Sequence, residues 1–149
     1  MADKNKRSPV LLCLDGSPDA RASATAALQF ARTEGLPVVA AHVYDARIHE
    51  SRFRQMEPGL PDKYQAEQGL KELRDSHGTL MSDGFTALSR GYLGDIVGTA
   101  REMGLEVSEV VREGRNYVAL QDIAGRVNPS LVALGASGLG DTGDGVLGS

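Results

Sequence analysis

The sequence predicts an open parallel α/β sheet, and three observations carry that prediction. Pro9–Leu14 (PVLLCL) and Pro37–Tyr44 (PVVAAHVY) are short runs that are apolar on both faces, as strands covered by helices on each side must be. Stretches with helical spacing lie between successive runs, long enough for parallel crossover connections. Turn or helix-stop residues, Asp15-Gly16, Gly35 and Asn128-Pro129, punctuate the pattern.

Taken in order, the first strand ends at Asp15-Gly16, and Ser17-Pro18 reads as an N-cap followed by a proline in the first helical position. Ala24, Ala27, Leu28 and Ala31 then form one apolar helical stripe, stopped by Gly35. Pro37–Tyr44 is the second strand, which completes a β-α-β unit with the right-handed crossover such units adopt. Asp45–Pro61 is polar, closes on Pro58-Gly59-Leu60-Pro61, and reads as loop. From Asp62 to Gly104 the spacing of Leu70, Leu73 and His77, and again of Leu93, Ile96, Val97 and Ala100, is helical. Gly78, Gly84, Gly91 and Gly94 each weaken a helix interior by up to about 1 kcal/mol, so a break near Asp83-Gly84 or Gly91 is expected. Glu106–Arg112 is a third strand. Asn116 is placed to cap a helix carrying Leu120, Ile123, Ala124 and Val127, which ends before Asn128-Pro129. Leu131–Leu134 is a fourth strand, running into a glycine-rich tail.

Composition narrows the function classes. The 149 residues are 41% hydrophobic and 24% charged, ordinary values for a single globular domain. A net charge of −4 makes sequence-independent binding to nucleic acid or to an anionic membrane a poor expectation. Cys13 is the only cysteine, so no intramolecular disulfide forms, and it reads as a small buried hydrophobe. No apolar run approaches the roughly 20 residues of a membrane helix, and Val10–Leu14 is too short for a signal peptide. The expected location is the cytoplasm. Glycine is the outlier, 18 residues in all, and seven of them lie between Gly125 and Gly148.

A glycine-rich turn leaving a parallel strand lets backbone N–H groups approach a phosphate closely, at the carboxyl edge where ligands of such sheets sit. Gly135–Ser149 (GASGLGDTGDGVLGS) is in that place. Gly138-x-Gly140-x-x-Gly143 matches a dinucleotide fingerprint only formally, because no acid follows at the required distance. The absence of Gly-Lys-Ser/Thr excludes a P-loop. Asp141-Thr142-Gly143 resembles an aspartic-protease triplet in the wrong setting, and Asp141 with Asp144 matches no EF-hand spacing. The plain alternative is a flexible glycine end without a ligand.

Gly135-x2-Gly138-x9-Gly148-Ser149 is more specific: it is similar to the G-x2-G-x9-G-S/T signature of the ATP-binding branch of the universal stress protein family. Val10–Pro18 resembles that family's first strand and Asp-Gly-Ser turn, and His42-Val43-Tyr44-Asp45 its second strand end. Val111–Gly114, Asp122-Ile123-Ala124 and Leu131–Gly135 resemble the third strand end, the following helix and the fourth strand. The resemblance covers nearly all of the chain except about 46–91. It implies a flavodoxin- or Rossmann-like, three-layer α/β/α domain of the adenine nucleotide alpha hydrolase-like kind. It also implies a regulatory or sensor role and frequent dimerisation.

By the same resemblance, Asp15 meets the adenosine part of a nucleotide and Val43 offers its backbone to the adenine. Gly135, Gly138, Gly148 and Ser149 form the phosphate and ribose loop. With their neighbours Leu14, Leu134 and Ser137 they make up the candidate nucleotide site for ATP or another adenine nucleotide, with Mg²⁺ where phosphates need it. No catalytic or metal-ligating set is assigned. Slow ATP hydrolysis is the most that these residues imply. The other function class is a non-nucleotide interaction module of the same fold.

The chain departs from the family pattern in three respects. It stops where a last helix and strand would follow, Ser137 stands where a basic residue or histidine is common, and Asp141 and Asp144 place negative charge beside the expected phosphates. Carboxylates beside a triphosphate repel it unless Mg²⁺ bridges them, and ATP, ADP and AMP all stay open. The expectation is one domain spanning 1–149, with an extended helical insertion at about 46–91 and a C-terminal truncation. The fourth strand is then a bare sheet edge, covered by the missing elements, by a homodimer mate or by another partner. His42 is expected at a strand end, His49 and His77 in solvent, and Tyr92 and Tyr117 in packing roles. Arg112 and Arg115 are either solvated or close to an anionic ligand.

Overall fold

Four parallel strands form the sheet, in the order β3-β2-β1-β4. The computed structural model describes residues 7–137. The strands are β1 (Val10–Cys13), β2 (Val38–Tyr44), β3 (Val107–Glu113) and β4 (Leu131–Ala133). Register is set by Val10, which pairs with Val38 on one side and Leu131 on the other. The helices are α1 (Pro18–Glu34), α2 (Arg47–Met56), α3 (Glu67–Glu102) and α4 (Asn116–Val127).

Alternation along β1 divides the core in two. Val10, Leu12 and Leu14 face α1 and α3, together with Val38, Ala40 and Ala133. Leu11 and Cys13 face α4, with Ala41 and Ile123. Burial on both faces explains why the two central strands read as continuous apolar runs. Cys13 lies inside this packing, and burial pushes its thiol up to about 11. α1 begins as its sequence indicates, with the Ser17 hydroxyl oxygen accepting the Ala20 N–H at 3.1 Å, and it ends at Gly35 in the left-handed region. Arg115, not Asn116, occupies the N-cap of α4, and Asn116 is its first helical residue. Asn128 closes that helix at φ 49°.

Two expectations are corrected. Residues 45–61 are not a loop: they carry α2 and a short 3-10 turn at Glu57–Gly59. α2 is polar and shows no apolar stripe, so its order comes from tertiary contacts. Phe53 stacks on His77 at 4.2 Å, and Glu57, buried at the end of α2, takes two hydrogen bonds of 2.7 Å from Arg74. The second correction is that α3 runs unbroken through Gly78, Gly84, Gly91 and Gly94 after a short turn at Asp62–Tyr64. At 36 residues it is about 54 Å long. Its C-terminal half buries Ser89 and packs Leu93, Ile96, Val97 and Ala100 into the core with β1 and α1, while its N-terminal half is held by α2. Anchorage at both ends outweighs the glycine penalty. Tyr44, the last residue of β2, stacks on Phe85 at 4.7 Å, so the part of α3 before Phe85 stands beyond the carboxyl ends of the strands.

Glycine substitutions should therefore have opposite signs at two places. A Cβ on Gly84 meets nothing within 4 Å, so Gly84→Ala raises stability by about 0.5–1 kcal/mol in urea unfolding. Gly16 has φ +81°, and its Cβ would stand 2.5 Å from the Tyr92 ring. Gly16→Ala lowers stability by at least about 1–2 kcal/mol, from backbone strain before the ring is displaced.

Candidate functional site

The chain leaves β1, β2 and β3 in one lateral direction and returns through α4 to place β4 on the other side of β1. That reversal makes the carboxyl ends of β1 and β4 the topological switch point, where open α/β sheets form their ligand crevice. One wall is the Asp15-Gly16-Ser17 turn. Asp15 Oδ1 accepts the Ser17 N–H at 2.9 Å, which holds the turn. The Ser17 side chain is buried; besides capping α1 it donates to the Ser137 carbonyl at 3.3 Å.

The other wall is the segment leaving β4. An added Cβ on Gly135 would lie 2.7 Å from the Ala20 backbone nitrogen and 3.1 Å from its Cα. No real Cβ sits that close, so this strand end meets the first turn of α1 only because residue 135 is glycine. Two residues on, the Asp19 carboxylate accepts both the Ser137 N–H at 3.1 Å and the Ser137 hydroxyl at 2.5 Å.

The floor is built from β2 and α3. His42, buried at the end of β2, bonds through Nδ1 to the Leu14 carbonyl at 2.6 Å. A carbonyl only accepts, so Nδ1 carries the proton. Tyr92 of α3 meets His42 edge-on at 5.1 Å and lies against Gly16. Tyr92 is thus a packing residue, as expected. His42 is the strand-end histidine expected, and His49 and His77 do more than face solvent: their rings contact Phe85 and Phe53.

Toward β3, Val43 is half-buried at the same carboxyl edge, and the β1–β2 pairing ends at Cys13↔Ala41, two residues before it. The next residues are committed locally. Asp45 accepts the Arg47 backbone N–H at 3.1 Å and holds its guanidinium through both carboxylate oxygens, which lowers the Asp45 carboxyl to about 2. Arg112 pairs with Asp122 of α4, which also binds Arg126, so Arg112 is engaged within the protein. Both arginines hold the Asp122 carboxyl below its ordinary range, Arg126 foremost.

Of the predicted site residues, Leu14, Asp15, Leu134, Gly135 and Ser137 come together around the crevice, with Val43 one strand away at the same edge. Gly138, Gly148 and Ser149, with Asp141 and Asp144, lie outside the described residues. Sequence reasoning missed Asp19: it is legible as an acid in the first turn of a helix, but no local spacing shows that it reaches a loop 118 residues away. Among the described residues no group of three His, Cys, Asp or Glu side chains is arranged to hold a metal, and no helix is long and apolar enough to cross a membrane.

A parallel sheet between two helical layers, with a glycine-walled crevice at its switch point, defines the Rossmann-like α/β class. The chain belongs to the universal stress protein family, whose sequence profile matches residues 6–149. Solved structures agree with the fold. A universal stress protein family member from Burkholderia pseudomallei is 20% identical, with 89% of this chain and 84% of that one covered and a TM-score of 0.60. A universal stress protein in complex with cAMP is 18% identical over 97% and 85% of the two chains, with a TM-score of 0.59. An Arabidopsis thaliana family protein with AMP bound is 14% identical over 92% and 82%, with a TM-score of 0.56. No curated protein matches the chain.

The Asp45–Arg47 contact has a defined pH range. A carboxyl lowered to about 2 in the folded chain, against an ordinary 3.8, contributes stability that is complete above about pH 5 and is lost as pH falls toward 2. Carboxyl NMR titration should give Asp45 a midpoint near 2, and Arg47→Ala should return it toward 3.8; an unchanged midpoint in the variant would show that Arg47 is not the cause.

Proposed function

We propose that this chain is a cytoplasmic regulatory or sensor module that binds an adenine nucleotide in the crevice between β1 and β4. The observation that carries the reading is Gly135, whose lack of a side chain lets the exit of β4 close on the first turn of α1 beside Asp15. Two structurally similar family members hold cAMP and AMP, which supports an adenine ligand for this chain. In this reading Asp15 and the backbone at Val43 take the adenosine end. Gly135 and Ser137, with Gly138, Gly148 and Ser149, take the ribose and phosphate, and Mg²⁺ accompanies any polyphosphate. The stretch 46–91, which forms α2 and the outer part of α3, is an insertion in a single domain.

The sheet edge favours a second reading. Leu131 and Val132 of β4 and Leu134 just after it are 36%, 42% and 57% exposed, an apolar strand edge that a second copy or another partner would cover. That reading makes the chain a dimerisation module, with or without a nucleotide.

Calorimetry and thermal unfolding with millimolar AMP, and with ATP plus Mg²⁺, test the nucleotide reading. Saturation at about 100 times the dissociation constant stabilises the folded chain by about 2.7 kcal/mol, a clear rise in Tm. Gly135→Val should abolish both heat and shift, while light scattering reports self-association separately. Absence of heat and shift in the unaltered chain would leave only the interaction module.

A further inference from the structure

The ligand class can be narrowed, on the basis of the nucleotide reading above, by what already occupies the donors of the crevice. Phosphate oxygens are held at such turns by backbone N–H groups, hydroxyls and the positive end of a helix. Here the Ser137 N–H and hydroxyl are both given to the Asp19 carboxylate, at 3.1 and 2.5 Å. Asp19 itself lies in the first turn of α1, where its charge already complements the helix dipole. The Ser17 N–H is given to Asp15 at 2.9 Å, and the Ala20 N–H to the Ser17 hydroxyl oxygen at 3.1 Å. The Asp19 carboxylate therefore already holds the Ser137 donors that the nucleotide reading gives to ribose and phosphate.

Basic residues on the neighbouring elements are already paired. Residues 15–20 and 134–137 contain two aspartates and no lysine or arginine. Arg21, the next basic residue along α1, is paired with Asp95 of α3 at 2.9 Å. Arg47 and Arg112, on the β2 and β3 side, are held by Asp45 and Asp122. Each further phosphate charge brought to the β4 exit meets the Asp19 carboxylate, and these three arginines are each already held by a carboxylate of their own.

We infer that the crevice selects adenine ligands of low phosphate charge, adenosine or a monophosphate, over di- and triphosphates, and that Asp19 is the residue that sets this preference. Calorimetry on the full chain in metal-free buffer, with adenosine, AMP and ATP as probes, tests it. The unaltered protein should bind adenosine and AMP at least about tenfold more tightly than ATP, and the gap should narrow as salt is raised. Asp19→Asn keeps the acceptor but removes the charge, and should raise the ratio of ATP to adenosine affinity about tenfold. ATP binding as tightly as AMP without metal, or a ratio indifferent to Asp19→Asn, would overturn the inference and leave the nucleotide reading standing. Failure of all three probes would overturn both. Should Asp19→Asn not fold by circular dichroism, the affinity order and its salt dependence in the unaltered protein decide the matter.

Discussion

A side chain on residue 135 would have to pass through the backbone of Ala20, and the whole carboxyl edge of the sheet is arranged around that exclusion. Because Gly135 lets β4 leave the sheet against the first turn of α1, three polar groups from separated parts of the chain meet: the Ser17 hydroxyl, the Asp19 carboxylate and the Ser137 main chain. Ser17 joins the two walls, since one hydroxyl both caps α1 and bonds the loop beyond β4. A larger residue at 135 would separate the walls and leave the Ser17 and Asp19 contacts without their partner.

The floor depends on a second close approach of the same kind. Gly16 turns the chain at positive φ beneath the Tyr92 ring, and His42 ties the end of β2 to the Leu14 carbonyl. Tyr92 belongs to α3, so the helix that covers one face of the sheet also bounds the crevice. Farther out, the same helix meets Tyr44 through Phe85 and α2 through His77 and Arg74. α3 thus couples the crevice to the α2 hairpin through ring contacts spaced about two helical turns apart.

Much of this was legible in the residues. The strands, the Ser17 cap, the Gly35 stop and the carboxyl-edge placement of Asp15 and Gly135 follow from local patterns: apolar runs, capping chemistry and turn glycines. The family resemblance shared some of these positions, Asp15 and Gly135 among them, and added the Gly138 and Gly148-Ser149 spacing. α2 and the continuity of α3 were not legible, because both are decided by distant partners. A polar helix such as α2 has no periodic stripe to read, and its order comes from Phe53–His77 and Glu57–Arg74. The glycines of α3 argued locally for a break, but contacts at both ends of the helix outweigh them. Asp19 was missed for a related reason: its partner is 118 residues away, and only the fold brings them together.

The decisive observable is where an adenine ligand lands. Amide chemical-shift mapping of the isotope-labelled chain with AMP would locate it residue by residue. Shifts clustered at Asp15, Gly16, Ser17, Ala20, Gly135 and Ser137, fading toward α2, are the predicted result. Shifts confined to the α2–α3 hairpin or to the outer edge of β4, with the Gly135 and Ser17 amides unmoved, would contradict it.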